Sequence, residues 1–325
     1  MMPISLILKH LAVKTKTAFL VALGVVLACA AGELLVRIGT ADQRNYVIEM
    51  WRYAKLLKQP SANPLVGHEH RPGHSATLEG VEVSINSLGM RGPEPLPTDK
   101  VKRRIVILGD SVAFGWGVPD SDCLRGQLAK RLPPSTEVLN GGVGNMNLLQ
   151  IVAHWEDLSN KVRADTVILL PSPRAPELAQ NSGGGWLVRH SMLAALLVTY
   201  GSQLASGANG RDQLIDAYRR DWTSGRGAAL MSSALDRLAA RQKQQGFRVI
   251  VAQLPDSHDF NNYRFGFIGD TMGRAAAAHG WAYVDLLPLF KGPPSSTYWV
   301  SKGDLHLNGK AFSLIADRLL PLVRQ

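Results

Sequence analysis

The stretch VKRRIVILGDSVAFGWGV, residues 101–118, decides the fold. Three basic residues lead into the apolar, β-branched run 105–108, which ends at Gly109. This pattern is typical of a buried strand. Asp110 and Ser111 follow directly, and open α/β sheets carry their chemistry just beyond the carboxyl ends of the strands. The stretch therefore predicts an α/β fold with Ser111 at the functional edge of the sheet.

A serine hydroxyl is barely ionised at neutral pH, so it needs a neighbouring base to act as a nucleophile. Near the other end of the chain, SKGDLHLNG spans residues 301–309 and places Asp304 two positions before His306. In a serine–histidine–acid triad the histidine accepts the serine proton, and the acid fixes the imidazole tautomer. Alone, each motif also fits an ordinary turn or a helix N-terminus. Together, in an α/β pattern, they favour Ser111, Asp304 and His306 as a triad on a strand-end loop.

These motifs resemble those of the SGNH (GDSL) hydrolases, a superfamily of serine esterases, lipases and carbohydrate O-acetyl esterases and transferases. Residues 107–111, ILGDS, are similar to the first block of the family, and residues 304–308, DLHLN, to the last. Residues 137–145, EVLNGGVGN, are similar to the second block. The resemblance extends from about residue 81 to the C-terminus. It implies a flavodoxin-like three-layer sandwich with a central parallel sheet of about five strands.

The resemblance also implies an oxyanion hole, formed by the backbone N–H of Ser111 and that of Gly144 or Asn145. A third donor in the family is an Asn side chain that follows a strand. Here the strand predicted at 166–170 is followed by Pro-Ser-Pro-Arg, so Arg174 stands about where the Asn is expected. Loss of one oxyanion donor typically costs ~10²–10³ in turnover. Three interpretations stay open: Arg174 supplies the missing donor, the site is slow, or the site has another function. If Arg174 is not a donor, it is an ordinary solvated loop residue.

Composition sets broad limits on function. The chain has 325 residues, 46% of them hydrophobic, with a formal net charge of +10 and a pI of about 9.7. A basic balance suits anionic polymers or membranes, but no nucleic-acid motif accompanies it. Cys29 and Cys123 are the two cysteines, and neither lies in a zinc-binding or CxxC spacing. We expect no metal and no cofactor.

Residues 1–40 are predicted to be a membrane anchor or signal segment. An uncharged run, 17–32, follows a lysine-rich start and is slightly short of the ~20 apolar residues of a spanning helix. Three outcomes stay open: a retained anchor, cleavage after the small-x-small sequence at 28–30, or lipidation at Cys29. The excess of lysine before the run places the main domain outside the bacterial inner membrane, in the periplasm, on a single-pass protein.

Residues 41–100 are predicted to be a strap laid on the main domain, with a helix near 46–57. The strap contains three histidines close together, His68, His70 and His74. Such spacing can bind a metal ion, but only one acid and no cysteine lie nearby. We therefore favour structural roles for these histidines.

The remaining sequence, 101–325, alternates strands and helices, which favours a parallel sheet with helices on both faces. The predicted strands are 105–108, 138–139, 166–170, 248–252 and 282–286. Between the third and fourth of these, residues 175–226 are predicted to be a helical insertion that shapes the pocket. This insertion contains a glycine loop at 183–185 and an apolar helix at 191–204, which is too short to span a membrane.

Three functions remain open. The first is a serine esterase outside the cytoplasmic membrane, acting on O-acetyl esters of an envelope or secreted polysaccharide through an acyl-serine. The second is a polysaccharide O-acetyltransferase that uses the same triad beside a membrane-embedded acyltransferase. The third is a catalytically weakened binding or scaffold protein of a polysaccharide assembly machine, an interpretation supported by the missing Asn. The first two differ only in whether water or a sugar hydroxyl receives the acyl group.

Overall fold

A computed structural model describes residues 4–178, 185–205 and 210–325. Two residues of the predicted glycine loop, Gly183 and Gly184, lie outside these ranges. The chain divides into two compact units. The anchor unit comprises Met1–Trp51 and Ser182–Ala205, and the sheet unit comprises Arg52–Asn181 and Ser206–Gln325.

The helices and strands follow the alternation that the sequence predicts. The helices are α1 (Ile4–Gly39), α2 (Tyr46–Leu57), α3 (Ser111–Phe114), α4 (Leu124–Ala129), α5 (Leu148–Leu158), α6 (Trp186–His190), α7 (Met192–Ala205), α8 (Gly210–Thr223), α9 (Gly225–Gln245), α10 (Gly266–Ala278) and α11 (Gly309–Arg324). The strands are β1 (Lys58–Pro60), β2 (His68–His70), β3 (Ser75–Leu78), β4 (Val81–Ser84), β5 (Arg103–Gly109), β6 (Thr136–Asn140), β7 (Thr166–Leu170), β8 (Arg248–Gln253), β9 (Ala282–Asp285), β10 (Trp299–Ser301) and β11 (Asp304–Leu307).

Five parallel strands form the central sheet in the order β6-β5-β7-β8-β9. This is the flavodoxin-like order, and it confirms the predicted fold class. On β5, Val106 and Leu108 belong to one buried cluster and Ile105 and Ile107 to the other. Because both faces of β5 are buried, its sequence is a continuous apolar run and does not alternate between apolar and polar residues. Helices α5, α8, α9 and α10 cover the first face, and α4 and α11 cover the second.

The strap contains two short antiparallel pairs, β1–β2 and β3–β4. Beyond them, Arg91 pairs its backbone with Asn140 at the end of β6, with its N–H donating to the Asn140 carbonyl at 3.1 Å. The buried Arg91 guanidinium donates to the carbonyls of Phe114, Gly115 and Val118. The strap residues therefore hold the turn that follows Ser111.

In the anchor unit, α1 contains a segment, Lys14–Gly39, that is long and apolar enough to cross a membrane by length and composition alone. A signal sequence would pass the same test. The Glu33 carboxylate accepts hydrogen bonds from Ser191 Oγ at 2.8 Å and from the N–H of Leu193 at 3.0 Å, at the start of α7. The predicted insertion is thus divided, since α6 and α7 lie in the anchor unit and α8 in the sheet unit.

Candidate active site

Ser111 lies where β5 turns into α3. The Asp110 side chain caps this short helix by accepting the N–H of Val112 at 3.0 Å. A Cβ at Gly109 would lie 2.6 Å from Ala113 Cβ and 2.8 Å from the Leu170 carbonyl oxygen, so only glycine fits there. Ser111 is the first residue of α3, where the backbone N–H has no partner inside the helix. The turn thus presents the Ser111 hydroxyl and its N–H at the carboxyl edge of the sheet.

The base reaches Ser111 from β11. His306 Nε2 lies 2.8 Å from Ser111 Oγ, and His306 Nδ1 lies 2.6 Å from Asp304 Oδ1. A carboxylate can only accept, so Nδ1 carries the proton and Nε2 is the acceptor for the serine O–H. The sequence predicts a loop for the acid and the base, but they lie on the hairpin β10–β11, where Trp299 pairs with Leu307.

Asp304 is buried, and both of its carboxylate oxygens are engaged. Oδ1 also accepts the backbone N–H of His306 at 3.0 Å. Oδ2 accepts the indole N–H of Trp116 at 2.7 Å, and Trp116 is only 1% exposed. These donors fix the orientation of the carboxylate toward the imidazole. Trp116 follows the nucleophile turn in the sequence, but its position gives no sign that it would bond to a residue near the C-terminus.

The loop between β6 and α5 approaches the nucleophile turn closely. A Cβ at Gly142 would lie 2.3 Å from the backbone nitrogen of Phe114, and the N–H of Val143 donates to the Gly109 carbonyl at 3.1 Å. Asn145 has φ of 65°, the left-handed region that Asn tolerates better than most residues. Among the described residues, none accepts a hydrogen bond from the N–H of Ser111 or of Asn145.

The predicted oxyanion donors differ in whether they already have hydrogen-bond partners. The N–H of Gly144 is already used, because it donates to the Tyr53 hydroxyl at 2.9 Å. Of the two predicted alternatives, this leaves Asn145. The Arg174 side chain is 56% exposed and pairs with Glu177, with Nε 3.0 Å from Oε1 and Nη2 2.8 Å from Oε2. In this structure the Gly144 N–H and the Arg174 guanidinium both have other partners, and their roles as oxyanion donors stay predictions.

The strap histidines bind protein groups. His68 Nε2 lies 3.1 Å from the Gly144 carbonyl oxygen, and His70 contacts the Tyr53 hydroxyl at 2.7 Å and the Gly89 carbonyl at 3.0 Å. Over the described ranges, no group of three or more His, Cys, Asp or Glu side chains could hold a metal ion. The sequence does not predict the contacts of His68 and His70 around Gly144, because their spacing indicates only a possible metal site.

No family model matches the chain, and no curated protein matches it. Solved structures that it resembles include the structure of TesA, with a TM-score of 0.46 and 14% identity over 68% of this chain and 98% of that chain. A member of the lipolytic protein G-D-S-L family from Veillonella parvula DSM 2008 matches with a TM-score of 0.44 and 14% identity, over 69% of this chain and 99% of that chain. The acetyl xylan esterase AlAXEase matches with a TM-score of 0.43 and 15% identity, over 68% and 99%.

Proposed function

We propose that this protein is a serine esterase of the SGNH superfamily. One observation carries the proposal: a continuous hydrogen-bonded chain from Ser111 Oγ through His306 to the buried Asp304 carboxylate, with links of 2.8 and 2.6 Å. Nucleophile, base and orienting acid stand within hydrogen-bond reach of one another, as nucleophilic acyl transfer requires. The carboxyl edge of a parallel sheet is also where such folds bind their substrates.

The geometry supports a two-step reaction. Ser111 Oγ attacks the acyl carbonyl carbon while its proton passes to His306 Nε2, and Asp304 stabilises the imidazolium. The N–H groups of Ser111 and Asn145 hold the negative oxygen of the tetrahedral intermediate. His306 then returns the proton to the departing alcohol, which leaves an acyl-serine. Water, deprotonated by His306, attacks the acyl-serine and releases the carboxylic acid and free Ser111.

The substrate we propose is an O-acetyl ester of an envelope or secreted polysaccharide, and the site of action is outside the cytoplasmic membrane. The location is supported by the apolar segment Lys14–Gly39 and by the lysines that precede its uncharged part. The acyl and sugar classes follow from the resemblance of the serine, oxyanion and histidine motifs to the family. A membrane-embedded acyltransferase or polysaccharide assembly protein is the partner that this location suggests.

The test of an activated serine is a fluorophosphonate probe applied to the full chain in detergent or nanodiscs. We expect wild type and Ser296→Ala to be labelled, because Ser296 is an exposed serine outside the triad. We expect Ser111→Ala to lose the label, and peptide mapping to place the adduct on Ser111. Folded wild type without any label would favour the scaffold interpretation over both enzymes.

A second measurement separates hydrolysis from transfer. Acetate release from an aryl acetate and from an acetylated polysaccharide is followed with and without an added oligosaccharide acceptor. The esterase proposal expects equal release in both cases and an unmodified acceptor. An acceptor that raises turnover and becomes acetylated would instead establish the transferase, with a sugar hydroxyl in place of water.

A further inference from the structure

The peptide group between Gly144 and Asn145 is held by the strap. The Gly144 carbonyl oxygen accepts hydrogen bonds from Lys58 Nζ at 2.6 Å and from His68 Nε2 at 3.1 Å. The backbone N–H of the same residue, Gly144, donates to the Tyr53 hydroxyl at 2.9 Å. A Cβ at Gly144 would lie 2.8 Å from the Tyr53 ring, so the glycine permits this close approach. Residues from α2, β1 and β2 therefore meet on a single glycine of the loop between β6 and α5.

Because the peptide group is planar, the hydrogen bonds that hold the Gly144 oxygen also fix the direction of the Asn145 N–H. In a trans peptide the C=O of one residue and the N–H of the next point in opposite directions. Lys58 and His68 hold the Gly144 oxygen, so the Asn145 N–H must point away from the strap. Of the Gly144 and Asn145 N–H groups, that of Asn145 has no acceptor among the described residues, and its loop packs against the turn that begins at Ser111.

The hydrogen positions around Gly144 follow from the acceptors. A carbonyl oxygen only accepts, so His68 Nε2 and His70 Nδ1, which face the Gly144 and Gly89 carbonyls, both carry hydrogens. Burial lowers the pKa of His68 to about 4 and that of His70 to about 3, so both rings are neutral at neutral pH. His70 Nε2 then accepts the Tyr53 O–H, which frees the Tyr53 oxygen to accept the Gly144 N–H.

Lys58 is the strongest donor of this group. Its Nζ lies 4.7 Å from the centre of the Tyr53 ring and 2.6 Å from the Gly144 oxygen. Burial lowers the pKa of Lys58 to about 7, and both of its protonation states carry N–H donors. A donor on a peptide oxygen draws electron density from the peptide and makes its N–H a stronger hydrogen-bond donor, most of all when the donor is charged.

We propose that Lys58 and His68 are positioning residues for the oxyanion hole: they orient and polarise the Gly144–Asn145 peptide so that the Asn145 N–H meets the developing negative charge. This inference rests on the proposed esterase function. It also gives the strap a chemical role, because it strengthens one backbone donor in a site whose Arg174 stands in place of a side-chain donor and pairs with Glu177 instead.

The test compares Lys58→Met with Lys100→Met in the full chain. Methionine keeps the length of the side chain but removes the donor, and Lys100 is an exposed lysine of the strap. Removing a whole oxyanion donor costs ~10²–10³ in kcat, so weakening one should cost about 10–100-fold, with KM changed less than about threefold. Lys100→Met should match wild type. Lys58→Gln, a neutral donor, should recover part of the lost kcat.

A transition-state analogue separates positioning from a general structural effect. A boronic acid that forms a tetrahedral adduct on Ser111 should bind Lys58→Met more weakly by the same factor as the loss of kcat/KM, while the thermal midpoint stays near that of wild type. If Lys58→Met fails to fold, Lys58→Gln and His68→Gln carry the same comparison. An active wild type with unchanged kcat and boronate affinity in these folded variants would overturn the proposal while leaving the esterase intact. A wild type without a reactive Ser111 would instead overturn the esterase, and the positioning role with it.

Discussion

Two Asp-x-His segments of this chain share one local geometry. In Asp256-Ser257-His258 the acid accepts the histidine N–H at 3.1 Å and faces histidine Nδ1 at 2.9 Å. In Asp304-Leu305-His306 the corresponding distances are 3.0 and 2.6 Å. The first segment follows β8 and the second lies on β11, and both acids orient their imidazole in the same way. The two-residue spacing alone is therefore enough to build an acid–imidazole pair.

Their surroundings differ. The side chains of His258 and Asp256 are 52% and 11% exposed, whereas those of His306 and Asp304 are 13% and 2% exposed. The second oxygen of Asp304 accepts the Trp116 indole, and His306 Nε2 meets Ser111 Oγ. Near the first pair the Trp299 indole donates to the Ser257 carbonyl and not to the acid. The comparison shows that the same local motif is joined to a serine and shielded from water only where the surrounding fold provides both.

The largest effect should come from exchanging the two histidines for alanine, one at a time. His306→Ala removes the proposed base and should lower kcat by about 10⁴–10⁶-fold. His258→Ala, the matched control, removes an exposed ring of the same local geometry and should change kcat less than about threefold. Both variants are measured by aryl acetate hydrolysis. A comparable loss in His258→Ala would mean that the second pair takes part in the reaction.

A smaller effect should follow from removing the indole N–H of one tryptophan near each pair. Trp116→Phe leaves the buried Asp304 Oδ2 without its donor, and a hydrogen bond to a charged group is worth about 1.5–3 kcal/mol. We expect kcat to fall roughly 10-fold, with KM nearly unchanged. Trp299→Phe removes only the bond to the Ser257 carbonyl and serves as the control. Equal kcat values for the two variants would contradict a role for Trp116 in orienting Asp304.

The smallest effect should come from Arg174→Gln. The Arg174 guanidinium is half exposed and engaged by Glu177, and exposed ion pairs contribute about 0–1 kcal/mol. We expect less than about a threefold change in kcat, similar to that of Arg226→Gln at another exposed arginine. A loss near ~10²-fold would show that Arg174 leaves Glu177 and donates to the oxyanion during turnover.

The elements that sequence reasoning predicted well are those whose signal is local. The run 105–108 is apolar because β5 is buried on both faces, and Gly246 ends α9 in a left-handed conformation, as a C-terminal glycine does. The triad candidates also come from short patterns, a strand-end serine and an Asp-x-His segment, and the structure brings the three side chains into contact. The hairpin that carries His306 was missed, since its partner strand spans only Trp299–Ser301.

The loop between β6 and α5 shows what local patterns cannot predict. Gly144 and Asn145 are neighbours in one motif, and nothing local distinguishes their N–H groups. The choice depends on Tyr53, which stands 91 positions earlier and takes the Gly144 N–H. Likewise, Trp116 and Asp304 stand 188 positions apart, and their bond depends on how the hairpin folds over the nucleophile turn.

The sequence by itself determined the parallel α/β sheet, the candidate membrane segment and the candidates for nucleophile, base and acid, because hydrophobic periodicity and short motif spacings are local properties of the chain. Only the tertiary structure decided which of two similar Asp-x-His pairs reaches Ser111, which of the Gly144 and Asn145 N–H groups has a partner among the described residues, and which strap residues hold the peptide between them. Those choices depend on hydrogen bonds between residues far apart in the sequence, whose directions are set when the strap, the sheet and the β10–β11 hairpin pack together.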